Sequence, residues 1–326
     1  MEQEKHRPWR RWVVLVLMIA GFILGGIFVP IQPEIVVAPE KLSYTPLFTL
    51  PVVGDFYLVN TLPTLAITIV LLVVIAFFTR RSLQQSARTD MVPRGIGNLM
   101  EAILEMLYNL TEGSAGVKWA KAIFPWFATI MIYVLFANLL KLIPGFESVG
   151  LLKEAHGEGG HAVEALGGLS ILTPEHGEYV LYPFLRGISV DLNFTAALAI
   201  ISVVMIQVIG FRAQGFGYLS KFFNTRRMFK VPFFGAMDFL VGLLELISEI
   251  SKILSFAFRL FGNMFAGIVL VAIVAGLLGK ISILPAMVMM FELFVGIIQA
   301  FVFGMLTMVF MAQATQGHGE EHAESH

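Results

Sequence analysis

Hydrophobic residues occur along this chain in long uninterrupted runs, several of which reach the ~20 residues that a helix needs to cross a hydrocarbon core. The short alternating segments typical of membrane β-barrels are absent from the sequence. The pattern predicts an all-α polytopic membrane protein. About six membrane helices are expected, at about residues 13–29, 58–79, 122–143, 190–211, 235–279 and 284–314.

Two connecting segments have a different pattern. In "GIGNLMEAILEMLYNLTEG", from Gly95 to Gly113, apolar residues repeat at helical spacing opposite Asn98, Glu101 and Glu105. This pattern predicts an amphipathic helix on the membrane surface. Residues 146–188 are rich in glycine, acidic residues and histidine, and we expect a solvated loop there. The "HGEGGH" stretch within it is open to a second interpretation, as a metal site.

The composition supports a membrane protein and excludes several kinds of chemistry. Hydrophobic residues make up 57% of the chain and charged residues 14%, whereas soluble domains carry about 25% charged residues. There is no cysteine, which excludes disulfides and thiolate sites. No Walker-type glycine loop, HExxH or GxSxG motif is present. We therefore expect no catalysis by the chain alone, no cofactor, no bound metal and no nucleic-acid partner.

Lysine and arginine are concentrated in alternate connections. Residues 1–12 hold four, 80–94 four and 212–230 five, but 31–57 hold one and 144–188 two. By the positive-inside rule, six helices then place both termini in the cytoplasm, with the chain in a cell (inner) membrane. The first run resembles a signal sequence as much as an anchor; we interpret it as a retained helix.

Polar residues converge on one face of the predicted helix 235–279. Within about 40° of Glu245 on a helical wheel lie Glu249, Lys252, Arg259 and Asn263. An arginine inside a membrane is costly, and such groups usually mark an ion path. The alternative is a structural arginine, paired with Glu249 or with a backbone carbonyl. At this length the helix must tilt or extend beyond the hydrocarbon.

The last helix repeats this arrangement, with Glu292, Gly296 and Gln299 on one side. Glu292 lies either on the ion path or near the interface as a solvated acid. Asn263 and Gln299 either line the path or form an interhelical hydrogen bond. Glu245 and Glu249 either belong to the path or line its entrance on the basic side. Gly296 and Gly304 either allow close helix approach or leave clearance for a partner that moves past this helix.

The stretch "SFAFRLFGNMFAG" resembles the signature of subunit a of the F-type ATP synthase, the membrane stator beside the rotating c-ring. "LLELISEISK", "FELFVGIIQAFVFGMLTMVF", "FANLLKLIPGF" and "SVDLNFTAALA" also fit, so the resemblance covers about residues 56–314. It implies that Arg259 is the stator charge facing the c-ring carboxylate. It also implies an ion path that includes Ser255, Asn263, Gln299 and Glu245. We expect Glu249, Glu292, Asp191 and Asn193 to belong to the same path. Some members carry a glutamate where this chain has Ile268 and a histidine in place of Glu292, so the acid is interpreted as relocated.

The resemblance implies two offset half-channels that carry protons to and from the c-ring, coupling the proton gradient to ATP synthesis. The implied partners are the c-ring, b-type peripheral stalk subunits, the catalytic head indirectly, and the bilayer. We expect three parts: residues 1–55 with the first membrane helix, the core at 56–316 with its last two helices tilted beside the c-ring, and a polar tail at 317–326. A self-contained transporter or ion channel is the alternative, and it predicts inverted repeats and broken helices near mid-membrane.

Overall fold

The computed structural model describes residues 38–316 apart from 44, 52–53, 87–95, 144–145, 155–159, 167–168, 223–231 and 279–282. Its helices are α1 (Thr61–Ser86), α2 (Ile96–Leu140), α3 (Leu192–Gln214), α4 (Pro232–Leu278) and α5 (Ile283–Thr315). Its strands are β1 (Phe48–Leu50), β2 (Gly54–Phe56), β3 (Gly150–Glu154), β4 (His161–Leu166), β5 (Leu169–His176) and β6 (Tyr179–Pro183).

The predicted fold class, a helical polytopic membrane protein, is confirmed. In the described part of the chain five helices are long and apolar enough to cross a membrane. They correspond to the second to sixth predicted spans. The ends of α3, α4 and α5 lie within three residues of the predicted ones, whereas α1 continues to Ser86 and α2 begins at Ile96. The first predicted span, 13–29, and the tail 317–326 lie outside the described residues. The division of the chain at 55/56 and 316/317 stays a prediction.

The predicted surface helix and the third span form one element, α2, which kinks at Gly116. Gly116 has φ 71° and ψ 162°, a conformation that residues with a Cβ rarely adopt. Before the kink, Glu101 and Glu105 are exposed and Leu107 is buried, but Leu99 and Met106 of the predicted apolar face are also exposed, so the amphipathic helix on the membrane surface stays a prediction. A glycine at this position therefore separates the two segments without an intervening loop.

The described residues divide into two compact units. The sheet unit comprises residues 38–60, 146–185 and 265–295, and the helical unit comprises 61–143, 186–264 and 296–316. In the sheet unit, β1 and β2 form an antiparallel hairpin. Strands β3 to β6 form a four-stranded antiparallel sheet in the order β3-β6-β4-β5.

The expectation of a solvated loop at 146–188 is therefore wrong. Glycine and charged residues suggested a loop, but the segment contains four short strands that pair antiparallel, such as Leu152 of β3 with Leu181 of β6. The pairing of β4 with β5 has one irregularity, between His161 and Val163. The Gly167-Gly168 pair between β4 and β5 is a known hairpin signal that the composition concealed. His161 lies in β4, and the described residues contain no group of three or more side chains suited to a metal.

In the helical unit, α2, α4 and α5 pack through aromatic and small residues. Phe256 of α4 and Phe303 of α5 are buried, with ring centroids 5.2 Å apart. A Cβ at Gly304 would come within 2.8 Å of the Cβ of Met131. Gly304 thus allows α5 to approach α2 closely, which is the first of the two interpretations of this glycine.

Candidate functional site

Arg259 lies on α4 in a strongly apolar stretch. Its Nη2 donates to the hydroxyl of Ser255, one turn earlier, at a long 3.4 Å. No carboxylate among the described residues lies within ion-pair distance of the guanidinium. The alternative in which Glu249 neutralises Arg259 is therefore not observed. The guanidinium therefore has Ser255 as a hydrogen-bond partner but no ion-pair partner within the described part of the chain.

One turn beyond Arg259, Asn263 connects α4 with α5. Its Nδ2 donates to Oε1 of Gln299 at 2.6 Å. Gln299 is 3% exposed, and its Nε2 has no hydrogen-bond partner among the described residues. The predicted interhelical hydrogen bond is thus present, but it uses only one end of the Gln299 amide. We define Ser255, Arg259, Asn263 and Gln299 as the seam.

Glu249 and Lys252 form an ion pair on α4, before the seam. Nζ of Lys252 lies 2.8 Å from Oε1 of Glu249 and 4.9 Å from the ring centroid of Phe310 on α5. Glu249 is 6% exposed, and Glu245, one turn earlier, is half-buried. A buried carboxylate needs a compensating charge, and Lys252 supplies one to Glu249 on the same helix.

Glu292 belongs to the sheet unit and is 8% exposed, so it is not a solvated acid at an interface. A Cβ at Gly267 would lie 2.5 Å from Oε1 of Glu292. The glycine thus provides the space that the carboxylate occupies. A side chain at position 267 would displace Glu292.

Asp191 precedes α3 and caps its first turn. Its Oδ1 accepts from the backbone N–H of Asn193 at 2.9 Å, and its Oδ2 accepts from Oγ1 of Thr61 at 3.0 Å. Asp191 is buried, whereas the side chain of Asn193 is exposed. A capping carboxylate satisfies a helix N–H and is stabilised by the positive end of the helix.

Asn138 is a further polar residue, which sequence reasoning missed. Its Oδ1 accepts from Oγ of Ser189 at 2.6 Å, and its Nδ2 donates to the carbonyl of Gly296 at 3.1 Å. All three are buried. The available signal was a lone asparagine within an apolar run, which needs a partner when buried. We define Thr61, Asn138, Ser189 and Asp191, with the carbonyl of Gly296, as the buried cluster.

The model of the family described as ATP synthase A chain matches residues 63–312, including both the seam and the buried cluster apart from Thr61. The chain belongs to the ATP synthase subunit a family. The resemblance carried by the motif around Arg259 is thus confirmed.

Relatives within the ATP synthase subunit a family cover most of the chain. The ATP synthase subunit a of Campylobacter jejuni (strain RM1221) is 31% identical over 253 residues, which are 76% of this chain and 87% of the relative. That of Mycobacterium ulcerans (strain Agy99) is 28% identical over 265 residues, 81% of this chain and 89% of the relative. The Mycobacterium tuberculosis (strain CDC 1551 / Oshkosh) subunit has the same identity and coverage.

Membership of the ATP synthase subunit a family defines the general role of the chain. It is a membrane-embedded, proton-translocating subunit of ATP synthase that works within the membrane part of the complex. It has no catalytic activity of its own, as the motif analysis predicted. The roles of individual residues stay predictions.

Proposed function

We propose that the chain is a membrane stator with two offset half-channels, which carry protons to and from the carboxylates of a c-ring. In this arrangement, proton flow through the half-channels drives rotation of the c-ring and so couples the proton gradient to ATP synthesis. The observation that carries it is Arg259, a permanent cation on an apolar helix with no carboxylate partner in the described part of the chain. A carboxylate supplied by another subunit would complete the pair.

The guanidinium gives a physical reason for proton release. A c-ring carboxylate that reaches Arg259 is stabilised as the anion, so its proton leaves. Away from Arg259, the neutral acid faces lipid at low cost, but the ionised form does not because hydrocarbon strongly penalises a charge. Rotation past Arg259 therefore requires proton exchange on both sides of it.

The remaining polar residues divide between the two half-channels of this proposal. The outer half-channel uses Asp191, Asn193, Glu292 and Gln299, and the cytoplasmic one uses Glu245 and Glu249. Between the two half-channels, Ser255 holds Arg259 in position and Asn263 holds Gln299 in position. The hydrogen bond within each pair supports this assignment. Arg259 blocks a direct proton leak, since a second cation entering its field is repelled.

The proposed surroundings follow the same scheme. The core at 56–316 contacts the c-ring through α4 and α5 and the b-type peripheral stalk elsewhere, and through these subunits it acts on the catalytic head. Both termini are proposed to be cytoplasmic in an inner membrane. Against a self-contained transporter, α4 continues as one helix on both sides of Arg259, whereas that alternative predicts a break there.

The test is ATP-driven acidification of inverted membrane vesicles that contain the whole complex. Arg259→Ala is expected to abolish pumping at matched assembly, because proton release no longer has a cation to drive it. Arg212→Ala is the control, since it removes an exposed arginine from the last turn of α3. Pumping by Arg259→Ala at the rate of the control would make the arginine structural and would overturn the proposal.

A further inference from the structure

The β1–β2 hairpin has two chemically different faces. Phe48 is paired with Phe56, and Thr49 is paired with Asp55. Because neighbouring residues of a strand point to opposite faces, the two aromatic residues share one face and the two polar residues share the other. The hairpin is therefore amphipathic, although it is only three pairs long.

The aromatic face is exposed in the described part of the chain. The rings of Phe48 and Phe56 are stacked, with centroids 4.6 Å apart and planes 12° from parallel. Phe48 is nevertheless 50% exposed and Phe56 38% exposed. Two stacked aromatic rings held on a surface form an apolar patch that favours a further contact.

The chain around the hairpin ties both of its legs together. Beyond β1 and β2, Leu42 donates its backbone N–H to the carbonyl of Leu58 at 2.7 Å. Asn60 donates its backbone N–H to the carbonyl of Glu40 at 3.1 Å, and its Nδ2 donates to Oε2 of Glu40 at 3.0 Å. We define residues 40–60, which include the hairpin and the two paired segments that flank it, as the strap. Its last residue, Asn60, directly precedes α1.

The position of the strap in the sequence indicates what contacts the ring face of Phe48 and Phe56. Only residues 57–60 separate Phe56 from the first residue of α1, and four extended residues span at most about 14 Å. α1 exposes apolar side chains such as Val70, Val73 and Phe77, as expected for a helix that faces lipid.

The strap residues that pair beside Val59 also have the chemistry of a membrane–water interface. Nζ of Lys41 lies 3.7 Å from the ring centroid of Tyr57, and Lys41 pairs with Val59 through an antiparallel bridge. Tyrosine and lysine are typical of this zone, where an apolar body meets hydrocarbon and a polar tip meets water. The apolar face of the hairpin and the lipid-facing side of α1 thus belong to one continuous stretch of sequence.

We propose that the β1–β2 hairpin binds the lipid bilayer, with Phe48 and Phe56 in the boundary between headgroups and acyl chains. Thr49 and Asp55 face water in this arrangement. The hairpin thereby holds the segment before α1 at the level where that helix enters the membrane. This contact is independent of the proton path, so it stands or falls separately from the function proposed above.

The test uses the absence of cysteine from the chain, which allows single-cysteine labelling without background. Four variants each carry a single nitroxide. Phe48→Cys and Phe56→Cys place it on the aromatic face, and the matched controls Thr49→Cys and Asp55→Cys place it on the polar face. The full chain is placed in bilayer discs of phosphatidylethanolamine and phosphatidylglycerol. Power saturation then compares the access of oxygen, which concentrates in lipid, with that of a water-soluble nickel chelate.

The expected result is an oxygen-to-nickel access ratio several times higher at positions 48 and 56 than at 49 and 55. Equal ratios on the two faces would overturn the proposal. The same labels are then measured in the whole ATP synthase complex. In the alternative outcome, positions 48 and 56 are shielded from both reagents in the complex but open to nickel in the isolated chain. That result would mean that another protein covers this face, and it would also overturn the proposal.

A second pair of variants keeps the test valid if loss of one ring disturbs the hairpin. Phe48→Trp preserves an aromatic ring, and Thr49→Trp places the same reporter on the other face. Quenching by brominated lipids is measured as the increment over the four native tryptophans. We expect an additional quenched component for Phe48→Trp alone. No increment for Phe48→Trp, or an equal one for both variants, would contradict lipid contact.

Discussion

Within the helical unit, the seam and the buried cluster use their hydrogen-bonding capacity in opposite ways. In the buried cluster Asn138 uses both ends of its amide, at 2.6 and 3.1 Å, and Asp191 accepts at both oxygens, at 3.0 and 2.9 Å. In the seam the guanidinium of Arg259 makes one long contact of 3.4 Å within the described chain. Nε2 of Gln299 makes none there.

The difference separates polar groups that hold the fold from polar groups that await another molecule. A satisfied buried network rigidifies the helices that it joins, and removing one member leaves its partners unpaired. An incompletely satisfied group gains little from its present neighbours, so its conservative replacement should cost function more than stability. Each prediction below tests one side of this contrast.

The largest effect is expected for Arg259→Lys, which keeps the positive charge of the seam but replaces the planar guanidinium. We expect proton pumping to fall to background, because an ammonium cannot present the same paired donors to a carboxylate and can lose its proton when desolvated. Pumping is measured in inverted vesicles and normalised to assembled complex, with Arg212→Lys as the control. Activity close to wild type would show that charge alone suffices and would weaken the role assigned to the guanidinium.

Asn138→Leu should produce the largest loss of stability. It leaves the hydroxyl of Ser189 and the carbonyl of Gly296 without their partner, which should lower the free energy of unfolding by about 2–4 kcal/mol. Asn98→Leu is the matched control, because Asn98 is exposed on the same helix. Unfolding in mixed detergent micelles measures both. Equal stability of the two variants would mean that the buried cluster contributes nothing beyond packing.

The sequence predicts the helices of this protein and the seam, but the buried cluster only in part. Long apolar runs identify membrane helices through length alone, and polar residues at helical spacing identify the face that carries Arg259. Asn138 has no periodic partner in the sequence, since Ser189 and Gly296 reach it from other elements. Contacts of this kind depend on tertiary packing, which a single sequence does not encode locally.

The four-stranded sheet was missed for a different reason. Its strands are five to eight residues long and contain histidine, glutamate and lysine, so their composition resembles that of a loop. Pairing between strands stabilises them more than their intrinsic propensity does. The Gly167-Gly168 pair is a local signal for a hairpin, but the overall polarity of the segment favours a loop more strongly.

Gln299→Leu tests how much a seam residue contributes to the stability of the fold. The variant loses the hydrogen bond from Asn263, but it also removes a buried Nε2 that has no partner in the described chain. These two effects oppose each other, so we expect the free energy of unfolding to change by less than about 1 kcal/mol. Pumping should nevertheless fall if Gln299 lines the outer half-channel. A loss of stability as large as that of Asn138→Leu would remove the contrast between seam and buried cluster.

Asp191 belongs to the buried cluster by its contacts and to the outer half-channel by proposal, and two substitutions separate these roles. Asp191→Asn keeps a capping side chain, so stability should change by about 0.5 kcal/mol or less, whereas Asp191→Leu loses the cap, which is worth about 0.5–2 kcal/mol. A carboxylate at a channel entrance attracts protons with about 1 kcal/mol, so its neutralisation should slow pumping roughly fivefold. Slow pumping by Asp191→Asn at unchanged stability would assign the charge to the path. Normal pumping by Asp191→Asn would leave Asp191 as a helix cap, and the outer half-channel would then depend on Asn193, Glu292 and Gln299.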